Sequence, residues 1–239
     1  METPPKGTLY LIPNVLGDTA PLEVIPMSVK KVMERLQHFV FEKEKAGRAF
    51  VKQICPKIQQ NTLEVFLLNK FTTPEELHEM LIPLLEGKDM GLITDAGCPG
   101  IADPGADLIA LAHNNSITVT PLVGPSSILL ALMASGLNGQ SFAFNGYLPI
   151  NKAERKKAIK QFEKKSKELQ QTQVFIETPY RNNVLLEDLQ KSLRPKTLLS
   201  VACDLTLPTE FIRTAPAVEW KNTKEDLLRR PAVFSFLAS

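Results

Sequence analysis

Residues 90–105, Met-Gly-Leu-Ile-Thr-Asp-Ala-Gly-Cys-Pro-Gly-Ile-Ala-Asp-Pro-Gly, leave the chain few ways to fold. An apolar run stops at Asp95, a loop with Gly97, Pro99 and Gly100 follows, and Asp103-Pro104-Gly105 has the composition of a helix start. Proline in a first helical turn sacrifices no hydrogen bond, an aspartate before it can accept from free amides, and glycines let main chain come close to a ligand. A plain strand-to-helix connection needs one Gly or Pro, and this one holds five. The stretch is therefore expected to be a binding loop at the carboxyl end of a strand, with a helix from Asp103.

The flanking sequence sets that loop in an alternating pattern. Strands are expected at 8–12, 38–41, 64–68, 91–93 and 117–120, and helices at 22–36, 47–54, 73–87 and 105–113. Thr73-Pro74-Glu75-Glu76 has the form of a capping box, so the start of its helix is well marked. Such alternation predicts a mostly parallel sheet covered on both faces. Beyond about residue 120 the pattern changes to a lysine-rich helix at 152–168, a strand at 174–177, a helix at 182–193 and a strand at 197–202. Short, more antiparallel strands are expected at 210–213, 217–220 and 232–237. The expectation is two α/β domains, 1–120 with a mostly parallel sheet and 121–239 with a mixed sheet.

Composition removes several function classes. Cys55, Cys98 and Cys203 are odd in number, far apart and without CxxC or His-Cys spacing, which predicts free thiols in a reducing, cytoplasmic setting and no metal site. No apolar run approaches the ~20 residues of a membrane span, and Met-Glu-Thr-Pro-Pro-Lys lacks the regions of a signal peptide. A net charge of +2 is nearly neutral, so any nucleic-acid footprint must be local. The region of residues 13–18 contains only Gly17, so the GxGxxG of a standard dinucleotide site is missing.

Four constellations carry possible chemistry, each with a structural alternative. Glu42 stands where an acid ends the second strand, but also within the solvated run Glu42-Lys43-Glu44-Lys45. Gly124-Pro125-Ser126-Ser127 opens an apolar helix and offers hydroxyls and free amides to an anion, or simply caps that helix. The helix bearing Lys152, Arg155, Lys156, Lys157, Lys160, Lys164, Lys165 and Lys167 fits either an RNA backbone or a solvated amphipathic helix anchored by Ala158, Ile159 and Phe162. Glu177-Thr178-Pro179-Tyr180-Arg181 places a carboxylate base candidate beside a guanidinium, or marks a helix start with Arg181 paired to Glu177.

In order along the chain, Leu9-Tyr-Leu-Ile-Pro13 with Leu16-Gly17, Asp95-Ala-Gly-Cys-Pro99 with Asp103-Pro-Gly105, and Gly124-Pro-Ser126 lead into Gly146-Tyr-Leu-Pro149 with Arg155-Lys156. Glu177-Thr-Pro-Tyr-Arg181 and Leu205-Thr206 with Glu210 then follow. On these segments the chain resembles the tetrapyrrole methylase superfamily of S-adenosylmethionine-dependent enzymes, and within it the branch that methylates a cytidine ribose 2′-hydroxyl of bacterial small-subunit ribosomal RNA. The resemblance implies two domains with the cofactor in a cleft between them, usually in a homodimer. It assigns cofactor contacts to Leu16, Cys98, Pro99, Ile101, Asp103, Ser126, Ser127, Ile176, Ala202 and Ala232. Arg155, Lys156 and Arg181 become the candidates for substrate binding, and Glu177 or Glu42 for a general base. Where the branch carries Ala-Glu-Asp-Thr-Arg, this chain has Phe41-Glu42-Lys43-Glu44-Lys45, and it is expected to lack that branch's C-terminal extension. Cofactor binding is expected to survive both departures. RNA is the expected acceptor, with a small molecule such as a tetrapyrrole, or binding without catalysis, as alternatives.

Overall fold

The computed structural model describes residues 5–223 and 225–239. The chain divides into two compact units, Met1–Ser126 and Ser127–Ser239. Each is built around its own five-stranded sheet.

In the first unit, strands β1 (Thr8–Ile12), β2 (His38–Phe41), β3 (Glu64–Leu67), β4 (Met90–Ile93) and β5 (Thr118–Pro121) lie in the order β3-β2-β4-β1-β5, all parallel. Their side chains alternate between two buried faces, as a period of two requires. Phe39 and Phe41 join Ile12 and Ile93 under α1 (Met27–Met33) and α2 (Glu44–Ile54), while Val40, Leu9, Met90 and Leu92 lie under α3 (Pro74–Leu85) and α4 (Ala106–Asn114). Gly91 is required by this packing: a Cβ there would lie 2.6 Å from the Ile12 Cδ1. The strand order also creates a switch point. The connection leaving β1 runs toward β2 on one side, and that leaving β4 runs toward β5 on the other. A crevice at the carboxyl ends of such a strand pair is where open parallel sheets bind ligands.

In the second unit, β6 (Phe142–Tyr147), β7 (Thr172–Ile176), β8 (Leu198–Cys203), β9 (Phe211–Pro216) and β10 (Ala232–Leu237) form the order β6-β7-β10-β8-β9. Only β6 and β7 pair in parallel, so this sheet is mixed. Helices α6 (Lys152–Leu169) and α7 (Asn182–Ser192) contribute Ile159, Leu185 and Leu189 to a core with Phe175, Phe234 and Phe236, and α5 (Ser127–Ser135) packs on β8, β9 and β10.

The capping box of α3 forms as expected: the Thr73 hydroxyl accepts from the Glu76 amide at 3.3 Å, and the Glu76 carboxylate accepts from the Thr73 amide at 2.7 Å. Other boundaries move for local reasons. The helix expected over 22–36 is split into a 3-10 turn at Pro21–Glu23 and α1, with Pro26 as the cap between them. Proline pushes the preceding residue out of helical geometry. The segment expected as a strand at 217–220 lies in a 3-10 helix, Ala217–Asn222, where the Trp220 indole donates to the carbonyls of Leu199 and Ala215 at 3.1 and 3.3 Å. A buried indole N–H demands such a partner, and the turn supplies two. Helix α2 starts at Glu44, three residues earlier than expected, with Arg48 and Glu44 paired across its first turn.

Candidate functional site

Three loops of the first unit leave neighbouring strands at the carboxyl edge and pack on one another. The loop after β1 meets the loop after β4 through a two-way backbone bridge, Asn14 N to Gly97 O at 2.8 Å and Gly97 N to Asn14 O at 3.2 Å. The buried Asn14 side chain fixes the same junction by donating to the carbonyls of Thr94 and Asp95 at 2.9 and 3.1 Å. The loop after β5 closes on the other side, where a Cβ on Gly124 would fall 2.2 Å from the Pro13 Cγ. Cys98 Sγ donates to the Pro125 carbonyl at 3.4 Å, and burial pushes its thiol pKa up, so it packs as a neutral group. Leu16 completes the cluster, 3.5 Å from where a Cβ of Gly97 would stand.

The chain then turns sharply three times. Gly97, Gly100 and Gly105 have φ of 72°, 77° and 136°, and Ala102 adopts 62°. This is why α4 does not start at Asp103: Gly105 is its cap, and the first helical residue is Ala106. The capping role expected of Asp103 is corrected accordingly. Pro99 is buried, Asp103 half-buried, and Ile101 is 51% exposed, an apolar side chain held outward by the loop.

Beside this loop stand three carboxylates and one cation. Asp95 N donates to Glu42 Oε2 at 3.4 Å, and Lys43 Nζ pairs with Asp95 Oδ2, a contact that raises the lysine's pKa. Burial, with Glu42 and Asp95 adding repulsion, pushes Asp103 up to about 6. Glu42 is thus drawn into the site and not left in a solvated run. The sequence alone assigns no role to Asn14 and gives Lys43 only a place in the charged run 42–45. Lys43 is visible there as the departure from Asp in the related motif, but its partner is 52 residues away.

In the second unit, Ile176 and Ala202 flank Val233 in adjacent strands, and Ala232 lies opposite Cys203, so the three expected cofactor positions share one edge of the sheet. Glu177 follows β7 and is buried; its Oε1 accepts from Arg181 Nη2 at 2.6 Å, Arg181 Nε at 3.1 Å and Thr178 N at 2.6 Å. That oxygen is occupied in orienting Arg181, which is the structural alternative read in the sequence. Arg155 requires a correction. It is 6% exposed, its guanidinium clasps Asp188 of α7 through Nε at 2.7 Å and Nη2 at 2.5 Å, and it also donates to the carbonyls of Pro149 and Ile150. A guanidinium so committed has no face to offer a substrate. Lys156, one residue on, is fully outward. Ser126 and Ser127 are half-buried, and α5 begins at Ser127.

Among the described residues no group of His, Cys, Asp and Glu is placed to hold a metal ion, and no helix is long and apolar enough to cross a membrane.

Comparison with known proteins places this arrangement. The pattern of the Tetrapyrrole (Corrin/Porphyrin) Methylases matches residues 16–219. The ribosomal RNA small subunit methyltransferase I of Halalkalibacterium halodurans is 31% identical over 218 residues, which cover 90% of this chain and 71% of that protein. The protein of the same description from Escherichia coli O157:H7 is 29% identical over 228 residues, covering 94% and 75%. Among solved structures, the methyltransferase CobJ has a TM-score of 0.61 at 14% identity, covering 98% of this chain and 100% of that one. Uroporphyrin-III-C-methyltransferase from Thermus thermophilus has 0.54 at 18%, covering 97% and 92%. At those identities the likeness is one of fold. On the match to the family pattern and the identity to its relatives, the chain belongs to the tetrapyrrole (corrin/porphyrin) methylase family.

Proposed function

We propose that this protein is an S-adenosylmethionine-dependent methyltransferase of small-subunit ribosomal RNA, acting on a ribose 2′-hydroxyl as a cytoplasmic homodimer. One observation carries the choice of acceptor: the relatives alike in sequence over nine-tenths of the chain are ribosomal RNA methyltransferases, whereas the tetrapyrrole enzymes are alike in fold. The homodimer and the compartment rest on the family resemblance and the free cysteines.

The first-unit edge fits such a cofactor. Positive φ at Gly97, Gly100 and Ala102 bends the loop sharply, Ile101 offers an exposed apolar contact, and Leu16, Cys98 and Pro99 pack on the turn from within. These residues, with Asp103 and Ser126, are the proposed cofactor contacts of that unit; Ser127, Ile176, Ala202 and Ala232 are those of the second. S-adenosylmethionine supplies a methyl on a sulfonium, whose departure leaves a neutral thioether. The protein's part is then alignment, exclusion of water and removal of the hydroxyl proton. Asp103, half-buried in the loop beside Glu42 and Asp95, is our candidate for that last task, since burial and those two carboxylates push its pKa up to about 6, toward neutrality. Glu42 supports it by raising that pKa, and Glu177 holds Arg181 as a candidate contact to the RNA.

The test is transfer of labelled methyl from S-adenosylmethionine, by purified protein, into an extract of cells lacking the gene, with ribosomal RNA and small molecules separated afterwards. Label in the RNA is expected. Label only in small molecules of the extract would move the acceptor to the tetrapyrrole class.

A further inference from the structure

Helix α6 sorts its charges in a way that helix stability does not explain. Arg155, Ile159, Glu163 and Ser166 form the buried stripe, and both buried charges are used internally: Arg155 on Asp188, and Glu163 Oε1 on the Arg194 amide and the Thr197 hydroxyl at 2.7 and 2.6 Å. Lys152, Lys156, Lys157, Lys160, Lys164, Lys165 and Lys167 all point outward, against two outward acids, Glu154 and Glu168. With the buried pair cancelling, the helix carries +5, whereas the whole chain carries +2; every other residue together therefore sums to −3.

Placed this way, the lysines work against their own helix. Lys152/Lys156, Lys156/Lys160 and Lys160/Lys164 are like charges four residues apart, an arrangement that destabilises a helix. Lys152, Lys156 and Lys157 also crowd toward the N-terminal end, where the helix dipole disfavours cations. Ion pairing offsets little of this: among the described residues the only salt bridge made by these lysines is Lys164 with Glu168 at 3.7 Å, while Lys152 acts at longer range on Glu187 of α7. A solvated helix has no reason to gather such repulsion, but a polyanion would relieve it.

We propose that the outward face of α6, centred on Lys156, Lys157, Lys160 and Lys164, is the surface on which the phosphate backbone of the RNA substrate lies. Lysines at intervals of four residues stand about 6 Å apart along the helix axis, and the row from Lys156 to Lys167 runs about 16 Å, enough for several successive phosphates. The helix's one aromatic, Phe162, turns inward against Phe175, so this face supplies backbone attraction without base stacking. Sequence is read elsewhere. The proposal rests on the RNA methyltransferase reading.

The experiment compares two triple variants in methyl transfer to small-subunit ribosomal RNA over a range of salt. Lys156→Gln, Lys160→Gln and Lys164→Gln are combined in one, and Lys52→Gln, Lys57→Gln and Lys221→Gln, exposed lysines off this helix, in the other. The α6 variant is expected to raise KM for RNA tenfold or more and to flatten the slope of log affinity against log salt by about 2, with kcat and the KM for S-adenosylmethionine unchanged. Its unfolding midpoint should not fall, since repulsion has been removed. The control variant should behave as the parent. If the parent methylates RNA and both variants match it, the α6 assignment is overturned while the function stands. Loss with intact subunits but not with protein-free RNA would overturn it too, in favour of a ribosomal protein as the partner. If the parent methylates no RNA, the acceptor reading fails and this one with it.

Discussion

The loop after β4 and the segment after β7 have the same task, leading from a buried strand into a helix, and they accomplish it by opposite means. Residues 94–105 use backbone conformation, with four residues at positive φ, one bridge to Asn14, and the Ile101 side chain left facing out. Residues 177–181 use side chains: a carboxylate whose side chain is 2% exposed takes three hydrogen bonds through one oxygen. The first arrangement leaves the Ile101 side chain exposed to a ligand. The second consumes its polar groups in holding itself together, which leaves Glu177 a weaker base candidate than Asp103.

The sharpest way to break that contrast is to remove Arg181. Arg181→Ala strands a buried carboxylate with only the Thr178 amide, and should cost about 3 kcal/mol of stability, read from denaturant unfolding. Asp103→Asn should do the reverse. It should leave the fold intact yet lower kcat about a hundredfold, the contribution expected of a positioned general base. Its effect on stability has a defined sign. The Asp103 pKa is raised in the folded protein, so the folded state binds more protons than the unfolded between about 4 and 6, and stability falls as pH rises through that window. Asp103→Asn removes this loss, so the variant should exceed the parent in stability above about pH 6 and converge on it below about pH 4. Ile101→Arg comes next: at an exposed position it should barely move the unfolding midpoint, but weaken S-adenosylmethionine binding about tenfold or more by calorimetry. Unchanged affinity would take Ile101 out of the site. The smallest effect is Gly105→Ala, where φ of 136° and a Leu92 Cδ2 at 3.1 Å impose about 1 kcal/mol of strain, visible in thermal unfolding.

What could be read in advance follows the range of the interactions. The Thr73 capping box is local and was legible, as was the strand–loop–helix plan around Asp95, because period and turn chemistry are written in neighbouring residues. The start of α4 was not, since Asp103-Pro104 satisfies the local rule for a helix start and only the close packing of Gly105 on Gly100 and Leu92 overrides it. Arg155 was half legible. It stands four residues before Ile159, on the apolar stripe, but Asp188 lies 33 residues away and nothing local announces the pair. The raised pKa of Asp103 likewise comes from burial in the folded loop and then from Glu42 and Asp95, the first of which only the pairing of β2 with β4 brings alongside.

The measurement closest to the central claim is alkaline hydrolysis of ribosomal RNA labelled by the purified protein. A methyl on a ribose 2′-oxygen blocks that oxygen from attacking its own phosphodiester, so label is predicted in alkali-resistant dinucleotides. Label released entirely as mononucleotides would place the methyl on a base and contradict the ribose assignment, and RNA without label would contradict the RNA methyltransferase reading itself.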